Sequence, residues 1–174
     1  ATLSHMWDKS AQYLRKMGGL ILVASLFVWF LSYFPRPVAG EPEIEHYENS
    51  YLGQLGRWCE PAVEPLGLNW KAGVAILSGV SAKEIVVSTL GVLYSQDATA
   101  DDASLAQTLR ESGDFTPASA LAFLVFVLLY FPCIATIVAV RNEAGRGWAL
   151  ASMVYSTAVA WFVAWIVYHI ALLL

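Results

Sequence analysis

The sequence predicts an all-α, polytopic helical membrane protein in which two of the apolar segments are interrupted. Three runs carry no charged side chain: Met17–Phe34, Pro117–Val140 and Trp148–Leu174. Each run has about 18 residues or more, enough to cross a hydrocarbon layer roughly 30 Å thick. Of the 174 residues, 57% are hydrophobic and 14% are charged, whereas soluble domains carry about 25% charged residues. These observations disfavour a soluble fold.

Composition also excludes several classes of function. The net charge is −4 and no basic stripe is present, so nucleic acid is not an expected partner. The chain has neither a Gly-x-x-x-x-Gly-Lys-Ser/Thr loop nor a His-x-x-x-His pair, so we expect neither a P-loop nucleotide site nor the zinc ligands of a metalloprotease. The two cysteines, Cys59 in a polar segment and Cys133 in an apolar run, do not suggest a disulfide framework.

The N-terminal part predicts an interfacial helix followed by a membrane span. Met6–Lys16 is amphipathic and basic, and Met17–Phe34 is long enough to cross the bilayer. Pro35 ends the span. Residues 35–71 then form an acidic external connector, in which Tyr47–Glu60 is predicted to be a short helix ended by Pro61.

Residues 72–94 form an apolar segment that is interrupted at Ser78-Gly79-Val80-Ser81, just before Lys83 and Glu84. Neither half is long enough to span a membrane. A re-entrant hairpin and a kinked continuous span are both compatible with this pattern, and charge distribution favours the hairpin. The basic N-terminal helix and the basic linker at residues 141–147 should both be cytoplasmic. The acidic connector and the acidic loop at residues 95–116 can then both be external only if 72–94 is re-entrant.

The C-terminal part predicts two further membrane segments. Residues 117–140 form a long apolar run interrupted at Phe131-Pro132-Cys133, and residues 148–174 form a final span long enough to cross with tilt.

Glu84 is the first candidate functional residue, because a carboxylate in an apolar segment must be neutralised, paired or bound to metal. Helix ends near the middle of a membrane are places where transporters bind ions. In the alternative interpretation, Ser81 caps the second half-helix and Glu84 completes a capping box at its third position. Lys83 then snorkels or pairs elsewhere.

Cys133 is the second candidate, with Thr136 one turn further along. Pro132 lacks an amide donor and should free carbonyl oxygens near Leu128 and Leu129. A thiolate beside free carbonyls can bind Fe²⁺, Zn²⁺ or Cu⁺. Cys133 as a small hydrophobic residue at a kink is the structural alternative.

Four segments in order resemble the membrane domain of FeoB ferrous iron transporters. They are YLRKMGGLILVASLFVWFLSYFP at 13–35, ENSYLGQLGRWCEPAVEPLGLNWK at 48–71, GVSAKEIVVSTLGVLY at 79–94 and FTPASALAFLVFVLLYFPCIATIVAVRNEAG at 115–145. The last contains the Tyr-x-Pro-Cys-x-Ala-Thr core that recurs in that family.

This resemblance implies Fe²⁺ uptake as part of a multi-pass protein of the bacterial inner membrane. It implies that Cys133 belongs to the second of two gate-like motifs and that Glu84 is a pathway residue, so the expected metal ligands are Cys133, Glu84 and Thr136. Fe²⁺ is the cargo and this chain binds no cofactor of its own. GTP is bound and hydrolysed by a cytosolic domain that these residues do not contain, so the resemblance implies no enzymatic activity for this chain. Expected partners are the lipid bilayer, the remaining FeoB helices and that GTPase domain, with a homo-oligomer left open.

Two alternatives to iron transport stay open at this point. The same scaffold could carry another divalent metal or a nucleoside-like solute. The chain could also be a non-transporting membrane anchor or assembly module, in which Glu84 only caps a helix and Cys133 only packs.

Overall fold

The protein is all-α, as predicted, in a computed structural model that describes residues 2–36, 43–80, 82–94, 102–131 and 133–173. No strand occurs among these residues. The helices are α1 (Thr2–Tyr33), α2 (Glu43–Asn49), α3 (Tyr51–Val63), a 3₁₀ turn (Glu64–Leu66), α4 (Trp70–Ser78), α5 (Ile85–Tyr94), α6 (Asp102–Glu111), α7 (Pro117–Leu129), α8 (Ile134–Ala144) and α9 (Arg146–Leu173).

Helix α1 is continuous where the sequence predicted two elements, Met6–Lys16 and Met17–Phe34. The boundary between them holds Gly18 and Gly19, which cost a helix only about 1 kcal/mol each and do not stop it. The helix ends at Tyr33, before Phe34 and Pro35, because proline cannot continue the backbone hydrogen bonding.

The connector differs from its prediction at both ends of the expected helix. The chain breaks at Ser50, whose hydroxyl caps α3 by accepting from the Gly53 amide at 3.1 Å. Pro61 lies inside α3 and does not end it. Packing of α3 against α4 holds the helix as far as Val63 despite the lost hydrogen bond.

Helices α4 and α5 carry the centre of the core. Ala72, Val74, Ala75, Val86 and Leu93 are each no more than 1% exposed. Asn69 caps α4 through its side-chain oxygen, which accepts from the Ala72 amide at 3.2 Å. With 9 and 10 residues, each helix is about 15 Å long, so neither crosses a bilayer alone.

The acidic loop at 95–116 contains helix α6, which the sequence analysis did not predict. Leu109 packs on the core from this helix, and Gln107 donates to Glu111 one turn later at 2.8 Å. The sequence analysis missed this helix because its composition is polar and, among its described side chains, Leu109 provides the apolar contact with the core.

Helices α7 and α8 both pack against α9. Thr116 caps α7 in a reciprocal capping box with Ser119. The predicted linker at 141–147 is shorter than expected, because α8 continues to Ala144 and α9 begins at Arg146. Gly145 alone separates the two helices, with φ of 95°, a conformation that favours glycine.

Lipid contact explains the surface of this fold. By length and composition, two stretches can cross a bilayer: Pro117–Ala144, in which Pro132 is not described, and Arg146–Leu172. The apolar part of α1, Ile21–Tyr33, is shorter, so a full crossing by Met17–Phe34 stays a prediction. Large apolar side chains are exposed along α1 and α9, which a water-soluble surface would rarely show.

At Gly79, the C-cap of α4, the structure leaves no space for a side chain. A methyl group there would overlap the Val86 side chain and lie 2.5 Å from the Tyr130 hydroxyl. We expect Gly79→Ala to destabilise the protein by about 1–3 kcal/mol, measured as a lower melting temperature of the detergent-purified protein by tryptophan fluorescence.

Gly147→Ala is the matched control for this substitution. Gly147 lies in α9 with open space around it, so alanine there should leave the melting temperature unchanged or raise it slightly. Equal melting temperatures for the two variants would contradict the proposed packing at Gly79.

Candidate functional site

The two interruptions predicted from the sequence lie against each other. We call residues 79–84, between α4 and α5, the first break, and residues 130–133, between α7 and α8, the second break. The Val80 carbonyl accepts a hydrogen bond from the Ile134 amide at 3.2 Å. Ile134 begins α8, so this bond satisfies one of the amides that the first turn of a helix leaves unpaired.

Lys83 joins the first break to the end of α7. Its ammonium donates to the carbonyl oxygens of Val127 at 3.1 Å, Leu128 at 3.1 Å and Tyr130 at 3.3 Å. An ammonium has three donors, so all three are used. The charge also lies 4.7 Å from the centre of the Tyr130 ring, where a cation–π attraction adds to the hydrogen bonds.

The sequence analysis did not identify a partner for Lys83, and the structure shows that its partners are backbone carbonyls. The expected free carbonyls near Leu128 do exist at the end of α7, but Lys83 occupies them in this structure. Pro132, which was expected to free them, lies outside the described residues. Among the residues that the structure describes, Lys83 has no carboxylate within ion-pairing distance.

Cys133 and Thr136 are brought together, as the sequence spacing suggested. Cys133 is the N-cap of α8, and its sulfur lies 3.7 Å from the Thr136 hydroxyl oxygen. The Thr136 amide donates to the Cys133 carbonyl at 2.9 Å. Cys133 is partly exposed and Thr136 is exposed. The pair therefore presents one sulfur and one oxygen at an accessible helix start.

Glu84 is exposed in the turn just before α5. Helix α5 begins at Ile85, one residue after Glu84, and the capping-box interpretation of Glu84 stays a prediction because it also needs Ser81. Ser81, the expected cap, lies outside the described residues. The Glu84 carboxylate is close enough to Cys133 and Tyr130 to interact electrostatically with both.

Tyr130 is a residue of the second break that the sequence analysis did not single out as functional. Its side chain is only 2% exposed, and its hydroxyl has no hydrogen-bond partner within the described part of the chain. Buried hydroxyls normally have a partner, which is often water or a bound ion. The only available signal was its position two residues before the Pro-Cys pair.

No cluster of three or more His, Cys, Asp or Glu side chains occurs among the described residues. The donors near the breaks are instead one thiol, one hydroxyl, one nearby carboxylate and backbone carbonyls. A closed structural metal centre uses four protein ligands. This arrangement suits transient contact with a passing cation better than permanent storage of one.

A polar network lies at the other end of α4 and α5. Tyr94 donates to Asp114 at 3.0 Å and accepts from Asn69 at 3.1 Å, and Lys71 pairs with Asp114 at 3.3 Å. A cavity of about 440 Å³ opens beside it, lined by Arg57, Glu60, Pro61, Glu64, Gly67, Leu68, Asn69 and Asp114. Cys59 lies on α3 outside this cavity lining, and burial raises the pKa of its thiol.

Comparison with known proteins identifies the family. The family model described as "Gate: Nucleoside recognition" matches residues 14–147. A fusion of Fe(2+) transport protein A and Fe(2+) transporter FeoB from Porphyromonas gingivalis is 41% identical over 99% of this chain and 25% of its own length. No solved structure matches.

Two other relatives give the same result. The Fe(2+) transporter FeoB of Campylobacter jejuni is 37% identical over 97% of this chain and 28% of its own length. That of Methanocaldococcus jannaschii is 35% identical over 95% of the chain and 24% of its own length. The chain thus spans about a quarter of each of these relatives. It belongs to the Gate family and corresponds to one part of the FeoB membrane domain.

Proposed function

We propose that this chain supplies part of the path by which an FeoB transporter moves Fe²⁺ across the bacterial inner membrane. One observation carries the proposal: the two breaks meet at the Val80–Ile134 hydrogen bond. Non-helical backbone inside a membrane is tolerated where it lines a cavity or is buried in protein. Two such segments in contact are the usual construction of a substrate site in a transporter.

Cys133 is the primary ligand in this proposal, and Thr136 supplies an oxygen beside it. Fe²⁺ accepts nitrogen, oxygen and thiolate ligands, and the 3.7 Å separation of sulfur and hydroxyl lets one cation contact both. Glu84 offsets the charge of the cation from the first break. An uncompensated divalent charge in the membrane would be prohibitively costly.

Other parts of the transporter complete the path. The proposal requires further membrane helices and a cytosolic GTP-binding domain, which the residues of this chain do not supply. It places the acidic connector outside the cell and α8's basic end, at Arg141, in the cytoplasm. The re-entrant topology of residues 72–94 belongs to this proposal, since both helices of that segment are shorter than a bilayer.

A second candidate function follows from the description of the family model, which names nucleosides. A nucleoside path would need hydrogen-bonding groups for a sugar and a base, and would not depend on a thiol. The donor set of Cys133, Thr136 and Glu84 fits a divalent metal better, whether Fe²⁺, Zn²⁺ or Mn²⁺. Competition among these metals and nucleosides in a flux assay separates the cargoes.

Cys133→Ser should lower Fe²⁺ uptake about tenfold or more, since even indirect partners of a metal site contribute tenfold or more. Uptake is measured in cells expressing the complete open reading frame that encodes this chain, at matched protein levels. Cys59→Ser is the matched control and should keep the wild-type rate. Wild-type uptake by Cys133→Ser would reject Cys133 as a ligand.

Glu84→Gln should lower uptake without lowering the melting temperature, because the side chain is exposed and the change removes charge but not size. Glu143→Gln, at the exposed end of α8, is the control and should transport normally. If Glu84→Gln transports at the wild-type rate, the carboxylate has no role in the path.

Cys133 should react with small aqueous thiol reagents in a Cys59→Ser background, and Fe²⁺ or Mn²⁺ should slow the reaction. The thiol is partly exposed beside the break, and the proposal requires water to reach it along the path. A membrane anchor without a path predicts no labelling under any condition, and that result would favour the anchor hypothesis.

A further inference from the structure

The contacts of the Lys83 ammonium resemble those of a bound cation. Three carbonyl oxygens, of Val127, Leu128 and Tyr130, lie 3.1 to 3.3 Å from one nitrogen. These oxygens are at the end of α7, where backbone carbonyls have no helical partner and the helix dipole places partial negative charge. Ends of interrupted helices coordinate cations in membrane transporters.

We propose that these three carbonyls form a second cation site, which the Lys83 ammonium fills when no metal is in the path. A divalent cation moving along the path takes the same oxygens when Lys83 withdraws. Lys83 and the metal therefore exclude each other at this position. This inference rests on the proposed function, because it assigns a further site on the same path.

The position of the site next to Cys133 supports this exclusion. Tyr130 and Cys133 both belong to the second break, and the ammonium lies over the Tyr130 ring. Like charges repel strongly where water is scarce. A metal held by Cys133 therefore weakens the hold of the carbonyls on Lys83, and the flexible four-carbon stem lets the ammonium leave.

Tyr130 provides a second and independent sign that something else binds here. Its buried hydroxyl lacks a partner among the described residues and lies against Gly79 in the first break. If the contact between the two breaks were purely structural, the Tyr130 hydroxyl would be expected to have a hydrogen-bond partner. In the proposed site, a hydrated cation or its water would bind the Tyr130 hydroxyl during part of the transport cycle.

The competing explanation is that Lys83 only caps α7. A cap satisfies the carbonyls permanently, and losing it lowers stability and the amount of folded protein. A competitor at a cation site has a different effect, because its removal also makes the site easier for metal to enter. Apparent affinity therefore separates the two explanations, and maximal rate does not.

The test compares Lys83→Met, Lys83→Arg and wild type in proteoliposomes containing the complete protein, with Mn²⁺ uptake measured against Mn²⁺ concentration. Lys83→Met keeps the stem and removes the charge, and it should lower the half-saturating concentration about fivefold or more. Lys83→Arg should stay near the wild-type value. An unchanged half-saturating concentration for Lys83→Met, with only a lower maximal rate, would overturn the proposal.

Lys71→Met is the matched control for charge removal. Lys71 pairs with Asp114 at the far end of α4 and lies over the Tyr94 ring. Its loss should not change the half-saturating concentration. If Lys71→Met and Lys83→Met shift that value equally, a general loss of positive charge is responsible and the carbonyl site is rejected.

Amine labelling tests the wild-type protein directly and does not require a stable variant. Saturating Mn²⁺ should increase modification of Lys83 by an amine-reactive reagent at least threefold, while Lys71 stays unchanged. If Mn²⁺ does not change the modification of Lys83 while uptake still depends on Cys133, the second cation site is rejected and the proposed function is not. Absence of any metal uptake by wild type would instead defeat the proposed function.

Discussion

A helix that stops inside a hydrocarbon layer leaves its last carbonyls without partners, and each such group costs several kcal/mol if nothing binds it. Helix α7 stops at Leu129, and the Lys83 ammonium is the group that satisfies its end. Together with the Val80–Ile134 hydrogen bond, this side chain joins the first break to the second. These contacts hold Lys83 and the neighbouring Glu84 beside the segment that contains Cys133.

Local chemistry made part of this fold predictable. Charge-free runs located the membrane segments, and glycine and proline located both interruptions. The partner of Lys83 was not predictable, because it lies 44 to 47 residues further along the chain. Pairing over that distance depends on how α5 and α7 pack, which periodicity does not specify. Pro61 likewise stays in α3 because tertiary contacts outweigh its local preference.

The sequence predicted part of the geometry of the candidate site. Sequence reasoning selected Cys133 with Thr136, and the structure brings these two side chains together. It selected Glu84 as a pathway residue, with a helix cap as the alternative, and α5 begins one residue after Glu84. It included Tyr130 in the Tyr-x-Pro-Cys-x-Ala-Thr core but assigned it no role. The missing partner of its hydroxyl is visible only in three dimensions.

Gly145 is the single residue between α8 and α9, so the number of residues in α8 determines how its two ends are oriented. Helix α8 has Cys133 at one end and is joined to the long helix α9 at the other. An α-helix rises about 1.5 Å and turns about 100° per residue. One residue more or less in α8 would therefore turn the thiol a quarter of the way around the helix. The length of α8 thus sets the direction of the Cys133 thiol relative to α9.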